Sequence, residues 1–203
     1  MTTALVIEAS PRGAQGMSRL ATARLLGWLR AREPGLRVIR RDLADRPPGF
    51  VDAGFAAAML VPPDARTPAQ AAALAESEQL IAELETTDLL VIGTPMHNFT
   101  VPAVLKAWID QVLRVERTFR RTQAGKIGTL RPRPCYLVVA SGGHSSAPAA
   151  RQPDFLVPYL RAVLATLGVG EPQILRLEAL SGAADPQARV AAETDAWLRG
   201  LER

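Results

Sequence analysis

Cysteine and histidine are scarce in this sequence, and no apolar run is long. A single cysteine, Cys135, allows no internal disulfide, so we expect a reducing, cytoplasmic setting. The two histidines, His97 and His144, have no cysteine or acidic cluster at metal-ligand spacing, so no metal site is predicted. No apolar run approaches the roughly 18 residues of a membrane-spanning helix, and no secretory signal is apparent, so no membrane partner is expected.

Several other function classes lack their motif or their composition. No Gly-x-Ser-x-Gly elbow of a serine hydrolase and no Walker A loop is present. The net charge is +4, and one denser basic patch contains Arg114, Arg117, Arg120, Arg121, Lys126, Arg131 and Arg133. No aromatic residues alternate with these cations in a nucleic-acid motif, so a solvated loop is favoured over nucleic-acid binding, and attraction of an anionic nucleotide substrate is a third interpretation.

What the chain does contain is an alternation of short apolar runs and helical patterns. The apolar runs 4–7, 36–39, 89–92, 136–139 and 173–177 are typical of strands buried on both faces of a sheet. Helices are predicted over 18–34, 52–60, 67–85, 102–113, 154–167 and from Pro186 onward. Ser18 is the predicted N-cap of the first helix, and Thr67 with Gln70 forms a predicted capping box. Residues 114–133 are predicted to be a long connection.

The alternation of strands and helices predicts one domain over residues 1–203, with a parallel sheet covered by helices on both faces. Five strands fit a doubly wound sheet of order 2-1-3-4-5. In that order the carboxyl ends of strands one, three and four are neighbours. We therefore expect the loops 10–18, 95–101 and 141–144 to converge on a single site.

The first loop favours an anion. It combines hydroxyls and backbone N–H groups with a predicted helix start, which carries about half a positive charge. A phosphate monoester would fit, and an ordinary N-capped turn is the alternative. Arg12 either assists the phosphate or is simply solvated.

The second and third loops suit a flat ring. Met96 can form an apolar wall for a heteroaromatic ring, and Asn98 can hydrogen-bond to its edge. Phe99 either contacts such a ligand or plugs into the core. Gly142 and Gly143 let the backbone approach a ligand closely, or they form a simple turn.

Beyond these loops, the sequence resembles the FMN-dependent NADH-azoreductases, a family of flavodoxin-like quinone and azo reductases. The resemblance covers nearly the whole chain. Its strongest matches are Pro95-Met96-His97-Asn98-Phe99, Pro102, Leu105-Lys106-Ala107-Trp108-Ile109-Asp110 and Thr118-Phe119, with Ser10-Pro11-Arg12-Gly13, Asp42-Leu43 and Gly142-Gly143 in addition.

The resemblance implies an α/β flavodoxin-like three-layer sandwich that forms a homodimer and holds non-covalent FMN. It implies NADH or NADPH as electron donor and quinones and azo compounds as acceptors. Taken with the loop chemistry, it assigns to the cofactor Ser10, Arg12, Gly16, Met17, Ser18, Pro95, Met96, His97, Asn98, Phe99, Ser141, Gly142 and Gly143. Phe119, near the dimer seam in such enzymes, is expected to line the substrate pocket, and His97 is a candidate proton donor to the reduced acceptor, with packing against the flavin alone as the favoured alternative.

The chain also departs from the family pattern. The family usually has Ser at the position of Gly16 and Tyr at that of His97, and often Arg at that of Ser141. Three alternatives stay open on the sequence alone: an FAD-dependent quinone reductase of the same superfamily, a flavodoxin-like electron carrier without turnover, and a binding protein that has lost its flavin.

Overall fold

The protein is described by a computed structural model over residues 1–202, and its centre is a five-stranded parallel sheet. The described residues form seven strands, of which β4 and β5 make a separate hairpin. They are β1 (Thr3–Glu8), β2 (Arg37–Asp42), β3 (Leu89–Pro95), β4 (Phe119–Thr122), β5 (Gly125–Gly128), β6 (Cys135–Ala140) and β7 (Gln173–Leu177). The parallel sheet has the order β2-β1-β3-β6-β7. Counting only its five strands, this is the predicted order 2-1-3-4-5, so the fold expected from the alternation is confirmed.

Seven α-helices connect or follow these strands. They are α1 (Met17–Arg32), α2 (Ala53–Ala58), α3 (Pro68–Ala73), α4 (Ala75–Thr86), α5 (Ala103–Val112), α6 (Leu156–Leu167) and α7 (Pro186–Gly200). Within residues 1–202, no helix is both long enough and apolar enough to span a bilayer.

Helices cover both faces of the sheet because its strands are apolar on both sides. On one face Leu5, Ile92 and Leu137 pack in a cluster with side chains of α4, α5 and α6. On the other face Val6 and Val91 pack against α1 and the end of α7. The result is three layers, as expected for a parallel sheet whose strands alternate with helices.

Two predictions about helices were wrong. Ser18 is not the N-cap of α1: the helix already begins at Met17, its N-cap is Gly16, and Ser18 lies inside the first turn. The predicted helix 67–85 has the expected capping box at Thr67 and Gln70, but it is interrupted at Leu74 and forms α3 and α4. Leu74, at the break, is itself buried. The apolar pattern therefore continues across the interruption and does not reveal it.

The predicted connection 114–133 contains the antiparallel hairpin of β4 and β5. Its cations are also not all solvated. Arg114 is 2% exposed and donates to Ser77 and Glu78, and Arg133 is 8% exposed and donates to the carbonyl of Thr87. The patch is therefore partly structural, with exposed cations left mainly on the hairpin at Arg120, Arg121 and Lys126.

Candidate functional site

The three loops meet in one cleft at the carboxyl ends of the parallel strands. Strand register brings them together, because Ile7 pairs with Ile92 and Pro95 pairs with Ala140. The cleft has a volume of about 540 Å³, within the range of sites for small molecules and cofactors. Its lining from the predicted loops consists of Ser10, Arg12, Met17, Ser18, Pro95, Met96, His97, Ser141 and Gly142.

A fourth wall of the cleft was missed from the sequence. Leu180, Ser181, Ala183 and Pro186, which follow β7 and begin α7, also line it. These residues form no motif, and only their position gives a signal: they follow a fifth parallel strand, whose carboxyl end must share the same sheet edge.

One end of the cleft is built for an anion. The first backbone hydrogen bond of α1 runs from the Leu20 N–H to the Gly16 carbonyl, so the N–H groups of its first turn have no helical acceptor. Ser18 is 1% exposed, and its Oγ makes no hydrogen bond to any residue that the structure describes. A buried hydroxyl without a partner is costly, and a bound anion would satisfy it.

The glycine at position 16 has a steric reason. A Cβ on Gly16 would lie 2.4 Å from Ser10 Oγ and 2.9 Å from Ser10 Cβ. Ser10 thus occupies the space that a side chain at position 16 would need. This packing gives a reason for glycine at position 16, and it leaves Ser10 and Ser18 at the anion end.

The loop after β3 is held in a strained turn. The Met96 N–H donates to the Ala140 carbonyl at 2.8 Å, and His97 and Thr100 exchange two backbone hydrogen bonds of 2.9 and 3.0 Å. Asn98 and Phe99, between them, have φ of +47° and +73°, a left-handed conformation that side chains rarely adopt. Such strain clusters at ligand sites.

The loop after β6 is fixed by hydrogen bonds to the end of β7. The Ser141 N–H donates to the Leu177 carbonyl at 2.8 Å, and Ser141 Oγ donates to the Gly143 carbonyl at 2.7 Å. A Cβ on Gly142 would lie 2.5 Å from Ser181 Oγ, so a side chain there would displace the fourth wall. Gly142 therefore presents bare backbone to the cleft.

Five residues predicted for the site do not line this cleft. Gly16 lies behind Ser10, while Asn98 lines a second cavity of about 520 Å³ and Gly143 a third of about 370 Å³. Phe99 is 44% exposed, so it is not plugged into the core. Phe119 is buried in the hairpin, which packs beside the C-terminal end of α6 and hence at the opposite edge of the sheet.

Burial raises the pKa of two groups, one beside the cleft and one at the opposite end of the sheet. Burial raises the pKa of the Glu8 carboxyl, which lies one strand residue below the first loop, although the Thr22 hydroxyl donates to it at 2.5 Å. Burial also raises the pKa of the Cys135 thiol to about 12, so this cysteine is an unreactive core residue. Across residues 1–202, no three His, Cys, Asp or Glu side chains are grouped so that they could hold a metal ion.

Comparison with known proteins agrees with this geometry. The model of the flavodoxin-like fold family matches residues 2–201. The FMN-dependent NADH:quinone oxidoreductase 2 of Cupriavidus pinatubonensis is 45% identical over 201 residues, which cover 99% of this chain and 98% of that protein. The FMN-dependent NADH:quinone oxidoreductase 4 of Pseudomonas fluorescens is 46% identical over 180 residues, covering 89% and 85%.

Solved structures share the fold at lower identity. The crystal structure of an FMN-dependent NADH-azoreductase from Bacillus anthracis in complex with FMN has a TM-score of 0.83 and 21% identity, and the match covers 100% of this chain and 99% of that one. With the family model matched over almost the whole length and curated relatives above 40% identity, this chain belongs to the flavodoxin-like fold family, together with relatives named FMN-dependent NADH:quinone oxidoreductases.

Proposed function

We propose that this chain is an FMN-dependent NAD(P)H oxidoreductase that reduces quinones and azo compounds. The observation that carries the proposal is the cleft itself. One end of it is the anion end at Ser10 and Ser18, and the rest is a slot lined by Pro95, Met96, Ser141 and Gly142. The buried hydroxyl of Ser18, which has no hydrogen-bond partner among the described residues, lies at the anion end. Met96 forms part of the wall of the slot. FMN has a phosphate monoester at one end and a flat tricycle at the other, and the residues present fit both.

Different residues of the cleft would contact different parts of the cofactor. Ser10, Ser18 and the free N–H groups of the first turn of α1 would hold the phosphate, with Arg12 at the rim. Pro95 and Met96 would form the wall for the ring, and the backbone of His97, which also lines the cleft, would hydrogen-bond to its edge. The loop at Ser141, Gly142 and Gly143 would close the other side.

When bound, FMN would supply two-electron redox chemistry between NADH and an acceptor. The protein's share is orientation and electrostatics. His97 lines both the cleft and the neighbouring cavity, so it stands where an acceptor would be reduced. We propose His97 as the proton donor to the reduced acceptor, with solvent reprotonating its exposed ring.

We further propose that the protein is a homodimer. The resemblance implies a dimer, although Phe119, which it places near the dimer seam, is 6% exposed in the single chain and lies away from the cleft. Large apolar side chains exposed on the single chain, including Phe50, Leu60, Phe99 and Phe155, supply surface for such an association. Sedimentation equilibrium of the purified protein tests the dimer, and a monomer at micromolar concentration would contradict it.

Turnover with two acceptors tests the activity. We expect sustained NADH oxidation with menadione and with methyl red, and release of FMN on denaturation. Release of FAD would favour the FAD-dependent alternative. The mass of the released flavin separates the two, because FAD carries an additional AMP moiety. A protein that is reduced once and does not turn over would be an electron carrier, and the proposed activity would be wrong.

A further inference from the structure

Behind the loop after β6, one carboxylate collects several hydrogen bonds from a single segment. Glu178 directly follows β7, and its side chain is 12% exposed. One of its oxygens accepts from the hydroxyl and the N–H of Ser145 at 2.7 and 3.2 Å, and the other accepts from the Ser146 hydroxyl at 2.7 Å. Burial alone would raise the pKa of Glu178, but these donors and Arg176 hold it below its ordinary value, so the group is ionised at neutral pH.

The same edge strand holds the far end of that segment. Arg176 in β7 lies 3.7 Å from the Glu178 carboxylate and donates to Asp154 Oδ2 at 2.8 Å. The other oxygen of Asp154 accepts from the N–H groups of Leu156 and Val157, where α6 begins. Residues 143–155, called here the strap, are thus tied to β7 at both ends.

The strap contacts the ring end of the cleft and leaves the anion end alone. Gln152 Nε2 lies 3.4 Å from Met96 Sδ, and the Phe155 N–H donates to the Phe99 carbonyl at 3.0 Å. The Gln152 side chain also lies against Gly143, where a Cβ would be 3.2 Å from its Oε1. The strap therefore links the loop after β6 to the loop after β3, and its described contacts include neither Ser10 nor Ser18.

We infer that Glu178 is a positioning residue for the ring of the cofactor: it anchors the strap, and the strap fixes the two loops between which the ring lies. The inference rests on the proposed function. Glu178 does not line the cleft, so it acts through Ser145, Ser146 and Gln152 and has no contact with the flavin of its own.

Flavin binding with and without a phosphate separates this role from a general loss of structure. We expect Glu178→Ala to raise the dissociation constants of FMN and of riboflavin by the same factor, about tenfold, because two hydroxyls lose their acceptor and the strap is released. Glu178→Gln should shift both constants in the same direction by less. The ratio of the two constants, which reports on the phosphate end, should stay at the wild-type value.

Three further variants sharpen the test. Ser145→Ala with Ser146→Ala should reproduce the effect of Glu178→Ala, and combining all three should add little, because they remove one network. Glu171→Ala is the matched control, since its 66% exposed carboxylate pairs only with Arg161 at 2.7 Å, away from the cleft, and it should change neither constant.

Hydrogen exchange of the apoprotein gives a readout without flavin. Amides of residues 143–155 should exchange faster in Glu178→Ala, while those of residues 10–18 should not change. Unaltered flavin affinity in Glu178→Ala, with wild type binding FMN, would overturn the inference alone, and so would a changed FMN to riboflavin ratio. Failure of the wild type to bind FMN would overturn the proposed function and the inference together.

Discussion

Ser18 is the residue that distinguishes a phosphate site from an ordinary helix start. In the free protein its buried hydroxyl has no partner among residues 1–202, so Ser18→Ala should leave the thermal unfolding midpoint of the apoprotein unchanged or raise it slightly. The same substitution should weaken FMN about tenfold and leave riboflavin binding unchanged. Titrations monitored by flavin fluorescence measure both. An equal loss for the two flavins would place the phosphate elsewhere.

His97 places an imidazole, which can carry and transfer a proton, where the family resemblance predicts the ring of a tyrosine. We expect His97→Tyr to leave FMN bound, because the backbone donors of its loop are retained, and to change acceptor preference or the pH profile of turnover. Steady-state rates with menadione and methyl red across pH 5–9 provide the measurement. Kinetics that are identical to wild type at every pH would remove the proton-donor role.

Glu8 makes stability depend on pH in a direction opposite to most acids. Burial raises the pKa of Glu8 in the folded chain above its ordinary 4.5, so the native state binds this proton more tightly than the unfolded state does. Stability is therefore lost as pH rises from the unfolded pKa through the raised folded pKa, and the penalty remains above it.

Glu8→Gln removes that titration and keeps an acceptor for the Thr22 hydroxyl. We expect the variant's free energy of unfolding to exceed that of wild type at pH 7, and the difference to shrink toward pH 4. Urea unfolding of the apoprotein at several pH values checks this. A difference that does not vary with pH would show that the Glu8 proton is not involved.

At the scale of elements, α5 is the support of the strained loop that precedes it. Trp108 anchors this helix: it is 1% exposed, packs in the larger core cluster, and its Nε1–H has no partner among residues 1–202. Trp108→Ala should cost about 3–5 kcal/mol of unfolding free energy, as large-to-small core changes do.

Trp108→Phe should cost much less, because most of the packing is kept and the lost N–H was unsatisfied. Urea unfolding gives both values. Equal losses for the two variants would indicate that the indole N–H has a partner in solution.

The elements that sequence could predict are those whose cause is local. The apolar runs of β3 and β7 and the capping box at Thr67 each carry their own signal, and the structure confirms them. The hairpin of β4 and β5 was missed because Arg120, Arg121 and Lys126 give it no apolar alternation. It is held instead by contacts that are distant in sequence, such as the close packing of Gly128 on Gly168.

The residues of the site also fall into those that the sequence could predict and those that it could not. Ser10, Met96 and Gly142 were predictable because each follows a strand whose place in the sheet order could be inferred. The wall from Leu180 to Pro186 and the anchor at Glu178 depend on tertiary contacts and carry no motif. Ser18 lines the cleft, but its predicted capping role was wrong, since it lies in the first turn of α1 and does not cap it.

For the whole molecule, the decisive feature is one edge of the sheet, where parallel strands end in register and four loops surround a single cleft. The anion end and the slot belong to different loops, so neither alone would select a cofactor. Their separation across one cleft favours a ligand with a phosphate at one end and a planar ring at the other, and relatives named for FMN agree with this.

The absorption spectrum of the purified protein with added FMN tests this central claim most directly. We predict that stoichiometric FMN is retained through gel filtration, that its visible bands shift on binding, and that NADH bleaches them in the absence of oxygen. A preparation that stays colourless after incubation with FMN, or a bound flavin that NADH does not bleach, would contradict the account.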